Sequence, residues 1–168
     1  DQARMERAPE EFLRMGDLDF LGGLRLIQNS LLTRAGLLLG GREESLRAHA
    51  GSPGWTYLRM ASDTDYTERR DGVEALSIAL ARVEDQIMVD NPIHTEQRGL
   101  FHFEYRTYPE LALREGLLNA FCHRDYRLGG PIIVEQFPGR LEITSPGGFI
   151  GGVRPDNILH HPPTPRNP

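Results

Sequence analysis

Glu115, Asn119 and His123 recur at every fourth position within "LREGLLNAFCHRDYRLGG" (113–130). That spacing puts all three on one face of a helix whose remaining positions are largely apolar. A Glu and an Asn one turn apart can share a single ion or water. The Asn carbonyl oxygen suits Mg²⁺, and the carboxylate can orient or deprotonate a water. The same residues also read as a solvated helix face, with Glu115 in the amino-terminal half, where the helix dipole favours an acid. Spacing alone leaves both readings open. The helix runs directly into His-Arg-Asp-Tyr (123–126). A kinase catalytic loop is excluded, because Gly130 stands where its Asn belongs and the chain has no Lys. Arg124 and Asp125 are expected to pin the carboxyl end of the helix, with Gly129 and Gly130 allowing the turn that follows. The alternative is that they line a ligand or subunit surface.

The surrounding elements must position these groups. Residues 1–29 read as an interrupted helical segment, a linker from an upstream domain. "SLLTRAGLLLGG" (30–41) reads as a helix turn running into a short apolar strand. "WTYLRMAS" (55–62) alternates and reads as a strand. "DTDYTERRD" (63–71) reads as a charged loop. Residues 72–89 place Val73, Leu76, Leu80, Val83 and Ile87 at helical spacing. "NPIHTEQRG" (91–99) reads as a loop, and "LFHFEYRTY" (100–108) as a half-buried strand. Pro109 suits the start of the 113–130 helix. "GPIIVEQF" and "RLEITS" form two strands around a Pro138-Gly139 turn. A glycine-rich loop (146–153), a short helix near 154–161 and an extended tail complete the order. The result is an α+β domain, mostly antiparallel, with its helices on one face.

Composition removes several functions. With 168 residues and 26% charged side chains, the chain suits one ordinary folded domain. All 19 basic residues are Arg, so a P-loop and Schiff-base chemistry are excluded, and with the P-loop any helicase motor. The net charge of −5 argues against this segment gripping nucleic acid itself. No apolar run suits a membrane span. The lone Cys122 permits no internal disulfide, which fits the cytoplasm, and is expected to be core. Trp55 is also expected in the core. His94, His102, His160 and His161 lack partners at zinc spacing. Both ends read as cut from a longer protein.

The blocks "YPELALREGLLNAFCHRDYRLGG", "IIVEQFPGRLEITSPGGFIGGV" and "TPRNP", with "LTRAGLLLGG" upstream, resemble a known family. It is the C-terminal ATPase-like domain of RecG-like helicase-related proteins, which are transcriptional regulators. There the domain follows a Schlafen/Alba-type DNA-binding domain and precedes a winged helix. The resemblance spans roughly residues 30–168 and implies a two-layer α/β sandwich similar to the GHKL ATPases, such as gyrase and the histidine kinases. It implies that Glu115 and Asn119 form an N-box, with Asn119 on Mg²⁺ and Glu115 as general base. It also places His123, Ser145, Gly147 and Gly148 beside ATP. Thr144 and Ser145 stand where those enzymes carry an adenine-reading Asp, which points to a degenerate pocket. The implied role is regulation or assembly, with DNA contacted through neighbouring domains and with homo-oligomers as partners. The alternative is an active Mg-ATP-binding ATPase domain that switches oligomerisation or DNA binding.

Overall fold

The computed structural model describes residues 14–51, 53–149, 151–157, 160 and 162. The amino-terminal part of the expected linker helix and the "TPRNP" tail with Arg166 lie outside them. Helix α1 (Asp17–Gly23) leads into a small hairpin of β1 (Ile27–Gln28) and β2 (Leu31–Leu32), which crosses position 29/30. Helices α2 (Arg34–Gly40) and α3 (Glu43–His49) follow. Strands β3 (Trp55–Met60) and β4 (Tyr66–Gly72) precede the long helix α4 (Leu76–Val89). A second hairpin, β5 (Ile93–Arg98) and β6 (Phe101–Arg106), precedes helix α5 (Glu110–His123). Strands β7 (Ile132–Gln136) and β8 (Leu141–Thr144) complete the described elements.

The α+β class stands, but the sheet is mixed. Its order is β4-β3-β7-β8, and β3 pairs with β7 in parallel, Trp55 opposite Ile132 and Tyr57 opposite Val134. The other pairings are antiparallel. Alternate residues of the two central strands, Trp55, Tyr57, Ile132 and Val134, form one apolar face. Against it pack Ala79, Val83 and Ile87 of α4 and Leu113, Leu117, Ala120 and Phe121 of α5. Trp55 lies in this core, its indole N–H donating to Glu74 Oε2 at 2.8 Å. One buried polar pair crosses it. The Tyr57 hydroxyl donates to Gln136 Oε1 at 2.8 Å, and Gln136 Nε2 donates to the Asp90 carbonyl at 3.0 Å, just past α4. A Tyr57→Phe substitution would leave that buried oxygen without its donor. It should cost about 1–3 kcal/mol in urea unfolding. A loss below the error of the measurement would show that the pair contributes nothing.

Several expectations are corrected. In 30–41 the order is reversed, with strand first and helix second. The reason is Thr33, whose Oγ1 accepts from Gly36 N at 3.1 Å and donates to the Leu26 carbonyl at 3.0 Å, capping α2. Only glycine fits at 36, because a Cβ there would stand 2.3 Å from the Leu26 oxygen. Of the charged segment 63–71 only 63–65 stay a loop, and 66–71 lie in β4, an edge strand that needs no buried face. Residues 93–98 are likewise strand, and β6 is exposed along nearly its whole length rather than half-buried. The 72–89 helix begins at Leu76. Among the described residues of 154–161, turns replace the expected helix, with Asn157 Oδ1 accepting from Arg154 N at 2.7 Å. No helix among the described residues is long and apolar enough to cross a membrane.

Candidate functional site

Helix α5 buries Leu113, Leu117, Ala120 and Phe121, so the opposite face meets solvent. Glu115, Asn119 and His123 all lie on that open face, and none of their side chains hydrogen-bonds another described residue. Cys122 lies there too, exposed rather than in the core as expected. It falls seven positions after Glu115, two turns along the same stripe. A rise of 1.5 Å per residue puts Glu115 about 12 Å from His123 along the axis. One ion cannot touch both, whereas an extended polyphosphate can.

The glycine-rich loop reaches the carboxyl end of this helix. Gly116 packs close to β8, where an added Cβ would stand 3.4 Å from Ile143 Cδ1. Beyond β8, the Pro146 carbonyl accepts from Asp125 N at 2.8 Å. Ser145 is half-buried, and Gly147 and Gly148 are exposed. Gly147 takes φ 121°, open to glycine but not to ordinary side chains. The loop therefore sits nearest His123 and farthest from Glu115.

The residues after His123 turn inward. Arg124 is 1% exposed. Its Nη1 donates to the Gly54 carbonyl at 3.2 Å and its Nη2 to the Gly130 carbonyl at 2.5 Å. Gly54 and Gly130 lie just ahead of β3 and β7, so one guanidinium bridges the starts of the parallel pair. Gly130 allows this with φ 96°. The guanidinium also stands 5.2 Å from the Tyr126 ring centroid. Burial pulls the Arg124 pKa below its usual range. Asp125 accepts from Arg127 N at 3.0 Å and Arg127 Nη2 at 2.8 Å. The Tyr126 hydroxyl donates to the Phe121 carbonyl at 2.7 Å, satisfying a last-turn oxygen of α5. Arg34 of α2 donates to the Tyr126 carbonyl, and the Tyr126 ring packs with Leu38, Leu46 and Ala50. Burial pushes the Tyr126 hydroxyl up to about 12.

Beside α5 opens a cleft of about 590 Å³, lined by Arg34, Leu38, Leu76, Phe121, Cys122 and Tyr126 among others. Asp125 and Arg127 also line it, while Glu115, Asn119, Ser145 and the loop glycines do not. Cys122 is the residue shared by the cleft and the polar stripe. Sequence reasoning passed over Arg34 and Leu38 because 30–41 reads as a helix turn running into a short apolar strand. The available signal was Thr33, a helix-capping residue just ahead of an apolar run. Among the described residues, no three His, Cys, Asp or Glu side chains gather as a metal cluster.

These features can be set beside known proteins. Residues 129–168 match the family described as "Putative ATP-dependent DNA helicase recG C-terminal". The RecG-related match takes in β7, β8 and the glycine-rich loop. No curated protein matches the chain. The crystal structure of the DIP2311 protein from Corynebacterium diphtheriae superposes with a TM-score of 0.77 at 24% identity. It covers 95% of this chain but only 32% of that one, so this chain spans about a third of that protein's length. That likeness concerns the fold.

Proposed function

We propose that this RecG-related domain is a regulatory or assembly unit of a DNA-binding transcriptional regulator. Its fold is GHKL-like with a degenerate nucleotide pocket, and the DNA contact belongs to domains outside this chain. The observation that carries the reading is the end of β8. The strand closes on Thr144, and Ser145 and Pro146 follow it, where an adenine-reading carboxylate would be needed; the Pro146 carbonyl accepts from Asp125 N at 2.8 Å. An adenine amino group brought there would lack a charged acceptor, a loss of about 1–3 kcal/mol. The open setting of Glu115 agrees, since a general base works best where water is excluded.

A second reading is favoured by one contact. The Asp125–Pro146 bond brings the glycine-rich loop to the end of the helix that carries Asn119. In that reading ATP lies along the open face of α5, with Mg²⁺ on Asn119, Glu115 as base and the phosphates reaching His123, Gly147 and Gly148.

Thermal melting with millimolar Mg-ATP or Mg-ADP separates the two. The regulatory reading expects no shift. A nucleotide held at 100 times its Kd would add about 2.7 kcal/mol. A concentration-dependent rise in Tm that Asn119→Ala removes would overturn the degenerate pocket in favour of the ATPase reading.

A further inference from the structure

The β5–β6 hairpin stands apart from both core clusters. Leu100 at its tip is 95% exposed, and along β6 Phe101, Phe103 and Tyr105 are 70%, 50% and 52% exposed. These three alternate residues share one face with Arg98, Glu96 and His94 of β5. Phe101 and Phe103 lie with ring centroids 6.5 Å apart, and His94 and Tyr105 5.4 Å apart. The base of the hairpin is fixed. Buried Asn91 donates from Nδ2 to the Tyr108 carbonyl at 2.8 Å and accepts at Oδ1 from Tyr108 N at 2.9 Å. Arg106 adds a bond to the Asn91 carbonyl at 3.0 Å. The arm is thus held out by a rigid clamp. A lone two-stranded ribbon with an aromatic face in water is marginal, and a free edge of this kind invites another strand.

We propose that β6 pairs antiparallel with β6 of a second copy of this chain, about a two-fold axis through Phe103. The sequence of the strand selects both the partner and the register. In that register Phe103 meets its own counterpart, and Phe101 faces Tyr105 of the other copy. His102 faces Glu104 of the other copy on the opposite surface. Each aromatic therefore meets an aromatic, and each Glu104 meets an imidazole rather than another acid. The hairpin's charges balance, with Glu96 and Glu104 against Arg98 and Arg106. Such a neutral arm suits a copy of itself better than nucleic acid or a strongly charged protein. Joining the two hairpins makes a four-stranded ribbon with a continuous aromatic face. The pairing does not depend on whether α5 binds nucleotide.

Two measurements on the whole chain test this. Sedimentation velocity should show a dimer, and Phe103→Glu should weaken it by at least about a hundredfold by placing two carboxylates across the axis. The variant's melting temperature serves as a control for folding. Register is tested in a Cys122→Ser background, which removes the exposed native thiol. Cα atoms directly opposite on antiparallel strands lie about 4.5–5.5 Å apart, within disulfide reach. Phe103→Cys should therefore cross-link into dimers on mild oxidation, and Glu104→Cys should not. A monomer at about 100 µM, a dimer indifferent to Phe103→Glu in the folded protein, or equal cross-linking at 103 and 104 would each overturn the proposal.

Discussion

Replacing Arg124 with Met should lower the unfolding free energy by about 2–4 kcal/mol, with no change in the exposed face of α5. The guanidinium is 1% exposed and serves the Gly54 and Gly130 carbonyls together. Methionine fills much of the volume but strips the Gly130 oxygen of its guanidinium donor, at about 1–3 kcal/mol, and leaves the Gly54 oxygen with the Ile132 N–H alone, at about 1 kcal/mol for the bond lost. Arg124→Lys should recover only part of the loss. An ammonium is a point donor and cannot reproduce a planar fork spanning two carbonyls. Urea unfolding of the three proteins checks this. A cost under about 1 kcal/mol for the Met variant would mean that the strand starts are held by their own ladder, where Ile132 N already donates to the Gly54 carbonyl at 2.9 Å.

Alkaline pH should destabilise the protein through Tyr126. Burial raises its hydroxyl to about 12 in the folded state, against about 10 in an unfolded chain. The folded state therefore holds this proton more tightly. The stability it supplies is complete below about pH 10 and disappears as pH climbs toward 12. Two units correspond to about 3 kcal/mol over that window. Tyr57 and Tyr108 are also raised by burial and add to the slope. Tyr126→Phe should lose about 1 kcal/mol at neutral pH with the Phe121 hydrogen bond, and show a shallower decline above pH 10. Urea unfolding at pH 7 and at several values above 9 gives both numbers. An unchanged alkaline slope in the variant would assign the loss to other groups.

The sequence was most readable where burial imposed a period. Val83 and Ile87 in α4, Leu113 and Leu117 in α5, and the alternation in β3 and β7 all mark faces that the core requires. Strands held by pairing alone left no such mark. Glu68 to Asp71 in β4 and Thr95 to Gln97 in β5 are polar on both sides, so their charge read as loop although the backbone was paired. In α2 the Leu run imitated a strand until Thr33 was seen to cap it. The stripe of Glu115, Asn119 and His123 was legible because helical geometry is local. The cleft was not, because Arg34, Leu76 and Phe121 come from three helices far apart in the chain. Cys122 was misjudged for a related reason: its apolar character suggested burial, while its position in the repeat put it on the open stripe.

The parallel pairing of β3 with β7 also bears on how the chain can be divided. Trp55 and Ile132 pair across an intervening segment that holds β4, α4, the β5–β6 hairpin and α5. Closing so long a loop carries an entropic cost that local contacts do not offset. The β7–β8 ribbon alone is a marginal two-stranded unit, and the other flank of β7 is completed by β3, whose residues pair with it from 77 positions earlier, as Trp55 does with Ile132. Residues 129–168 are therefore a recognisable stretch of sequence without being an autonomous folding unit. The smallest piece able to hold their native arrangement must reach back to β3 and carry Arg124 with it.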